Sequence, residues 1–338
     1  MANPELIFIT YNDDPLQADV NAYGAWISDG GYLPLVAGEY GVGNGTFYAV
    51  GLDPTMYPAP TGTTGNAQAF PTYLETLFSA GLLPAYAPNN LYTLVLPSTW
   101  ADVATFCMSQ GGYHTYFSDG SGNQVLYAIT PNCQGTATAD SQIQQLEVTI
   151  SHEVIEGTTD PLLMNWVIQD SQNPWMYLGG EVGDLCSGAT SYYTVNNAGS
   201  DGGFSFSSQL IWSNQAVDAG AVPCQPWNPS DNYYALVGPA TMATGAPGST
   251  VPITVTGWSS DGSSGPMDLT TAEGDFSVDF PTMAQLSATT VATGDSVTVT
   301  LTIPSTATPG QHGATWVLAA DPNTGLYQGS TMVGVTVQ

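Results

Sequence analysis

The chain has 338 residues, of which 28 are Asp or Glu and none is Lys or Arg, so its formal net charge at pH 7 is −28. This length accommodates two domains, each with a sizeable core. The lack of Lys and Arg excludes phosphate clamps, so nucleic acid and anionic membranes should be repelled. No run of eighteen apolar residues occurs, and we expect no membrane insertion.

The charge pattern predicts tolerance of acid. An average chain of this length carries about 35 basic residues. At low pH most proteins keep those positive charges while their carboxylates neutralise, and the surplus repels itself. With three histidines and an amino terminus, this chain would carry at most about +4 at pH 2. We therefore predict a secreted, extracellular protein in an acidic environment; evasion of trypsin-like proteases is the rival explanation.

The start of the chain and its cysteines bear on export. No basic n-region precedes the strand-like LIFITY, so no signal peptide is visible, and one was either removed or export takes another route. The cysteines are an even set without C-x-x-C spacing, which is typical of disulfides. Of the three possible connectivities we favour Cys107 to Cys133 and Cys186 to Cys224, because each closes a local loop. Free buried thiols are the alternative.

The first 130 residues alternate strand and helix patterns. In chain order we predict a strand at 6–12, a helix over Pro15–Ser28, a helix over Ala67–Ala80, a strand at 91–97, a helix over Ala101–Gln110, and a hairpin of 113–118 with 125–130. The glycine-rich segment EYGVGNGTFYAVG is interpreted as a loop. It is not a dinucleotide fingerprint, because no helix follows it and no lysine is available.

A single long helix is predicted in TADSQIQQLEVTISHEVIEGTTDP, residues 138–161. Asp140 or Ser141 can cap its start, and Pro161 prevents its continuation. Apolar residues lie on more than one of its faces, which is typical of a core helix. Ionisable groups on such a helix need partners.

His152, Glu153 and Glu156 on this helix form the most specific motif of the chain. His152 and Glu156 are four residues apart and point at one spot, as in the zinc-protease helix H-E-x-x-H, with a carboxylate in place of the second histidine. With this composition the pattern arises by chance in about one chain in 400. The alternative is a histidine and carboxylate pair that satisfy each other inside a core helix.

Further candidate residues flank the helix. We take Glu181, in GGEVGDLC, as the third metal ligand, with Asp184 as its partner or a spare ligand and Asp160 as a competing candidate. A turn cap is the alternative for each of these carboxylates. His114 lies on the predicted hairpin, and in zinc peptidases an edge strand before the metal helix commonly lines the substrate cleft. The rest of 162–234 is predicted to be irregular.

The composition changes near Ala235 to Thr, Val, Ser and Gly without cysteine. About seven segments alternate apolar and polar residues between Gly, Pro and Asp turns, which predicts an immunoglobulin-like sandwich. His312 falls in the PGQHGA turn and is expected to be an exposed loop residue, not a ligand.

Four motifs in order, GGYH (111–114), VLYAITPNC (125–133), SHEVIEGTTDP (151–161) and GEVGDLC (180–186), resemble the zincin-like core of plant EXORDIUM or phosphate-induced proteins and of related secreted bacterial proteins. The resemblance covers about residues 1–230 and implies a secreted, metal-binding protein. The fold class we expect is α+β: a zincin-like metallopeptidase-type domain at 1–234, followed by an all-β immunoglobulin-like sandwich at 235–338.

The first functional hypothesis is a metal-dependent endopeptidase that acts on a protein or peptide substrate. His152, Glu156 and Glu181 would bind a divalent metal, Glu153 would take a proton from water, and His114 could stabilise the oxyanion. Zinc is the first choice; calcium or manganese would suit the extra carboxylate.

Two other functions compete with the peptidase hypothesis. The first is a non-catalytic structural or adhesive protein with a fold-stabilising metal site, capable of self-assembly or extracellular matrix attachment. The second is carbohydrate binding, suggested by eight Trp and eighteen Tyr, although so many aromatic residues more often serve packing.

Overall fold

The computed structural model describes residues 1–62, 66, 68–109, 111–133, 139–163, 172–178, 180–186, 190–194, 205–226, 234–262, 265–272, 278–323 and 327–338. The chain divides into two compact units. The first comprises Met1–Trp166 and Ser191–Gln209, and the second comprises Val167–Thr190 and Leu210–Gln338. Each unit has its own core and is described by itself.

The first unit combines one five-stranded sheet with five helices. Its sheet strands are β1 (Glu5–Tyr11), β2 (Thr46–Leu52), β3 (Asn90–Leu96), β4 (Tyr113–Ser118) and β5 (Gln124–Pro131). Its helices are α1 (Gln17–Asp29), α2 (Tyr32–Ala37), α3 (Ala69–Ser79), α4 (Val103–Ser109) and α5 (Ala139–Thr159). Two further strands, β6 (Thr190–Thr194) and β7 (Ser205–Gln209), pair with each other.

The strand order of the main sheet is β2-β1-β3-β5-β4. The first four strands run parallel, and β4 alone runs antiparallel, paired with β5. The central strand β3, NLYTLVL, is buried along its whole length, as expected for a parallel strand covered on both faces. The antiparallel β4 closes one edge of the sheet.

The two faces of the sheet carry different layers. Ile7, Tyr92 and Ile129 belong to an apolar core that also contains Phe70 and Leu74 of α3. Because side chains alternate along a strand, Leu91, Ala128 and His114 lie on the other face. Helix α5 packs there: a Cβ on Gly157 would lie 3.3 Å from the Leu91 side chain and 3.8 Å from His114 Cβ.

Most elements predicted for this unit are confirmed within a few residues: β1, α1, α3, β3, α4, the β4–β5 hairpin and α5. The prediction of a loop throughout EYGVGNGTFYAVG is wrong, because Thr46–Leu52 forms β2 and pairs in parallel with β1. Most of β2 is exposed or half-buried, so its strand conformation depends on the pairing and not on local alternation. Helix α2 was also missed; it is only six residues long and contains Pro34.

The second unit is mainly a two-sheet β-structure. Its elements are β8 (Ile211–Trp212), α6 (Asn214–Asp218), β9 (Cys224–Gln225), β10 (Tyr234–Val237), β11 (Ala243–Gly245), β12 (Thr250–Ser259), β13 (Met267–Ala272), β14 (Met283–Leu286), β15 (Thr290–Val291), β16 (Ser296–Thr302), β17 (His312–Ala320) and β18 (Tyr327–Val337). The sheet orders are β10-β12-β16-β14 and β11-β18-β17-β13-β15. Inward-facing residues such as Val255, Val299, Leu301, Val317 and Val333 form its core. From Tyr234 onward the described residues contain strands and no helix, as expected for an all-β module.

The units do not follow the predicted division after residue 234. Parts of the segment expected to be irregular join the second unit, where the Met242 N–H donates to the Gln172 carbonyl and Trp175 packs edge-on against Trp316. Composition marks where strand patterns begin, whereas contacts mark which segments share a core. The expectation of irregular structure over 162–234 missed β6 to β9 and α6.

Both favoured disulfides, Cys107–Cys133 and Cys186–Cys224, are confirmed, and no cysteine is free. The placement of His312 in an exposed loop is wrong. It begins β17, stacks on Tyr177, and its Nδ1 lies 3.5 Å from Asp279 Oδ2. Across the part of the chain that the structure describes, no helix is long and apolar enough to span a bilayer.

Candidate metal centre

Helix α5 presents three potential ligands at one place. Its apolar residues Leu146, Ile150 and Val154 are buried, and the helix ends at Thr159, two residues before Pro161, as predicted. His152 and Glu156 lie one turn apart, with His152 Nε2 3.1 Å from Glu156 Oε2. One ligand atom each from His152, Glu153 and Glu156 lie within 4.8 Å of one another. The local geometry expected from H-E-x-x-E is therefore present.

His114 of β4 reaches the same group. Its Nδ1 lies 3.7 Å from Glu153 Oε2 and 3.6 Å from Glu156 Oε2. The His114 side chain is only 2% exposed, and the two carboxylates are 5% and 4% exposed. The structure thus brings together His114, His152, Glu153 and Glu156. The oxyanion role of His114 stays a prediction, since its Nδ1 faces the two glutamates.

A glycine makes room for Glu153. A Cβ on Gly112, just before β4, would lie 2.7 Å from Glu153 Oε1 and 2.9 Å from Thr149 Cγ2. A Cβ less than 3 Å from another heavy atom would force the backbone or the neighbouring side chain to move. Gly112 therefore allows the antiparallel edge strand and α5 to approach closely enough to enclose the carboxylate.

Burial and charge push the pKa values of the two glutamates apart. Burial raises the pKa of Glu153, and the nearby histidines offset this only in part. Burial also acts to raise the pKa of Glu156, but the charges and hydrogen bonds of His152 and His114 outweigh it and lower that pKa to about 2. In a chain without Lys or Arg, a buried carboxylate must be compensated by hydrogen bonds, by protonation, by histidine or the amino terminus, or by a bound cation.

Gln209, the last residue of β7, contacts His152, and the sequence analysis did not predict this contact. Its Oε1 lies 3.0 Å from His152 Nδ1. Its backbone N–H donates to Ser151 Oγ at 2.9 Å, and its carbonyl accepts from the Tyr32 hydroxyl at 2.9 Å. No sequence pattern pointed to Gln209, because it lies 57 residues from His152 in a segment without clear periodicity.

Glu147 is a third buried carboxylate on α5, one turn before Ser151. Its Oε2 accepts from the Ser207 backbone N–H at 2.7 Å. Burial is the main cause that raises its pKa to about 8, and the neighbouring charge of Asp19 adds to the shift. Glu147 and Ser151 together bind alternate backbone N–H groups of β7, at residues 207 and 209. Four helical residues rise about 6 Å and two strand residues about 6.7 Å, so the spacings match.

Asp160, Glu181 and Asp184 are the other ligands that the sequence predicted. Asp160 follows the last turn of α5; it is buried, its N–H donates to the Glu156 carbonyl, and it does not belong to the group of His152, Glu153 and Glu156. Glu181 and Asp184 belong to the second unit. There the Glu181 N–H donates to Asp184 Oδ2 at 3.3 Å and the Glu181 carbonyl accepts from Leu185 N–H, which is a turn. The ligand role of Glu181 stays a prediction.

The donor set fits a divalent cation. Both ring nitrogens of His152 face oxygens, Gln209 Oε1 and Glu156 Oε2, yet a neutral imidazole carries only one proton. The second contact therefore needs either another proton or a cation. Two ligands of a tetrahedral zinc ion lie about 3.3 Å apart, so the 3.1 Å between His152 Nε2 and Glu156 Oε2 suits a shared zinc ion as well as a direct hydrogen bond.

Comparisons with known proteins give no assignment. No family model matches the chain, and no curated protein does. Domains 4 and 5 of the S-layer protein SbsC align with a TM-score of 0.21 and 10% identity, over 45% of this chain and 78% of that chain. A nucleoside hydrolase-related hypothetical protein from Saccharophagus degradans, associated with carbohydrate metabolism, aligns with a TM-score of 0.28 and 14% identity, over 86% of this chain and 71% of that chain. These TM-scores are too low to carry an argument.

Proposed function

We propose that the first unit is a metal-dependent endopeptidase of the zincin-like type. The observation that carries the proposal is the buried group of His152, Glu153 and Glu156 on α5, enclosed by an antiparallel edge strand that supplies His114. A mixed sheet whose antiparallel edge strand β4 forms a hairpin with β5 before the motif-bearing helix also agrees with the resemblance noted in the sequence.

His152 and Glu156 would hold the metal, with Glu181 as the proposed third ligand. The presence of imidazole favours zinc over calcium, which prefers an all-oxygen shell of six to eight ligands. When bound, a divalent ion lowers the pKa of water and polarises a carbonyl oxygen. Glu156 suits a ligand role because its lowered pKa keeps it ionised.

Glu153 is the proposed general base. It accepts a proton from the attacking water and returns it to the leaving nitrogen. A general base works best when its pKa is raised towards the working pH, and burial raises the pKa of Glu153. His114 is proposed to stabilise the developing oxyanion, since the chain has no Lys or Arg for that task.

The substrate is proposed to be an extended peptide bound along β4. Strand β4 ends the sheet order and pairs with β5 on one side, so the backbone groups of its other side can pair with an added strand. The two disulfides fit an extracellular, oxidising location. An acidic environment is proposed from the missing Lys and Arg.

A non-catalytic structural or adhesive protein is the second candidate, and the burial of the site favours it. Structural metal sites are closed, whereas catalytic sites keep an open position for water. Glu153 and Glu156 are almost fully buried, and His152 is 17% exposed. In this case the metal would stabilise the fold, and the sandwich of the second unit would mediate assembly or attachment.

Metal content and one variant separate the two candidates. Elemental analysis of the purified protein is expected to give about one zinc per chain. Glu153→Gln should retain the metal and lose about 10²–10⁴-fold in cleavage of a denatured protein substrate assayed from about pH 2 to about pH 7. Glu75→Gln, at an exposed position of α3, is the control and should behave as wild type.

Three outcomes decide between the candidates. Loss of cleavage in Glu153→Gln with metal retained supports the peptidase. Bound metal without cleavage at any pH supports the structural site. Equal cleavage by wild type and Glu153→Gln would contradict the assigned base.

A further inference from the structure

We infer that Gln209 is a positioning residue that decides which nitrogen of His152 faces the metal centre. The inference rests on the proposed metal site and adds to it a residue outside the H-E-x-x-E motif. It starts from one contact: Gln209 Oε1 lies 3.0 Å from His152 Nδ1, while His152 Nε2 lies 3.1 Å from Glu156 Oε2.

The chemistry of the contact sets the tautomer. A carboxamide oxygen can only accept a hydrogen bond, so His152 Nδ1 must carry a proton to donate to it. In the neutral imidazole Nε2 is then unprotonated, so its lone pair is available to a cation that Glu156 also binds. Metal-binding histidines commonly donate their other N–H in this way, and loss of the acceptor costs about 10–100-fold in metal affinity.

Gln209 is held firmly enough to impose this choice. It is 4% exposed, and both of its backbone polar groups are engaged, with Ser151 Oγ and the Tyr32 hydroxyl. Ser151 is the residue before His152 on α5, so the contact that locates the Gln209 backbone and the contact that orients the ring come from adjacent positions of one helix.

The preceding residues of β7 are anchored as well. The Ser207 N–H donates to Glu147, and Ser208 Oγ is 2.7 Å from the Tyr23 hydroxyl. Phe206 stacks on Trp26 of α1 with ring centroids 5.1 Å apart. Strand β7 is thus held against α1, α2 and α5, so rigid elements position the side-chain amide of Gln209.

A neutral amide also suits this particular pocket. Acceptors of metal-bound histidine are often carboxylates. Here Glu153 and Glu156 are already buried without any Lys or Arg in the chain, so a third carboxylate would need compensation. Gln209 accepts the hydrogen bond without adding a charge and does not titrate in acid.

The first test examines the metal-free protein, so it does not depend on activity or on bound metal. With ¹⁵N-labelled histidine, the three His residues give few signals, and the protonation of each ring nitrogen is measured by NMR at about pH 8. In wild type, His152 Nδ1 should carry an exchange-protected proton. In Gln209→Met, which keeps the length but removes the acceptor, that proton should be lost in favour of Nε2–H donated to Glu156. Gln209→Glu should restore Nδ1–H.

The second test measures zinc affinity by competition with a chromophoric chelator. Gln209→Met should weaken binding about 10–100-fold, and Gln209→Glu should stay within about threefold of wild type. Gln145→Met, at an exposed position of α5, is the matched control and should bind as wild type. The near-ultraviolet circular dichroism of each variant checks its fold.

The results separate this inference from the proposed function. An unprotonated Nδ1 in wild type, or a Gln209→Met spectrum equal to that of wild type, would overturn the positioning role even if zinc binds. If wild type shows the protected Nδ1–H but binds no zinc, the proposed metal function fails and the orientation of His152 by Gln209 stands. If Gln209→Met does not fold, the spectra of wild type and Gln209→Glu still test whether His152 Nδ1 carries the proton.

Discussion

Glu147→Gln should change how the stability of the first unit depends on pH. In the folded protein, burial raises the pKa of Glu147 from 4.5 to about 8, and Asp19 of α1 adds to the shift. Between these two values the folded state holds a proton that the unfolded state has released. The stabilisation is therefore fully present below about pH 4.5 and is lost as pH rises toward 8.

The magnitude follows from linkage. Each pH unit in this window costs about 1.4 kcal/mol, and the whole window from pH 4.5 to about 8 costs about 5 kcal/mol. Native domains are stable by about 5–15 kcal/mol, so the effect is large. Glutamine keeps an oxygen that accepts from the Ser207 N–H and removes the titration. The variant should match wild type within about 1 kcal/mol near pH 4 and exceed it by up to about 5 kcal/mol near pH 8.

Urea unfolding followed by circular dichroism at 222 nm is the assay. The signal reports mainly the first unit, because α1 to α5 lie there and α6, with five residues, is the only α-helix described in the second unit. Exposed Glu75→Gln controls for the loss of one negative charge and should follow the wild-type pH profile. Parallel wild-type and Glu147→Gln profiles from about pH 4 to about pH 8 would refute the reasoning.

Two further predictions concern packing and covalent links. Gly112→Ala places a Cβ 2.7 Å from Glu153 Oε1, so it should lower the free energy of unfolding by about 1–3 kcal/mol and lower cleavage at least tenfold. The control is Gly111→Ala, where φ is +74° and nothing lies within 4 Å of the new Cβ. This variant should lower the free energy of unfolding but not cleavage. Equal cleavage by the two variants would count against the close approach. Replacing Cys186 and Cys224 together by Ser opens a loop of separation 38 and should destabilise the second unit by about 4 kcal/mol in urea unfolding of the oxidised proteins. A change below about 1 kcal/mol would contradict the loop-entropy reasoning.

The core of the candidate site could be predicted because it is local. Helix geometry alone places His152, Glu153 and Glu156 together, and Pro161, which prevents the helix from continuing, lies within the same segment. The predicted caps Asp140 and Ser141 lie inside the helix, which begins at Ala139. The hairpin of β4 and β5 is also local, and the structure confirms it, with His114 opposite Ala128. The disulfide pairing could be predicted because each bridge closes a local loop.

The parts that were missed depend on contacts between distant segments. Strand β2 is paired over its whole length with β1, about 40 residues earlier, and carries only a weak pattern of its own. His312 was placed in a loop because of its glycine and proline neighbours, yet its pairing with Thr336 makes it the first residue of a strand. The division after residue 234 followed composition, which does not report which core a segment joins.

The sequence by itself determined the extreme charge, the alternating elements and the juxtaposition of His152, Glu153 and Glu156, since these depend on composition and on helical spacing. Only the tertiary structure decided which groups surround them. It brought His114 to within 3.7 Å of the glutamates, placed Gln209 against His152 across 57 residues, and buried Glu147 beneath β7. The physical reason is that the protonation and orientation of a buried side chain depend on neighbours in space, which short-range periodicity does not specify.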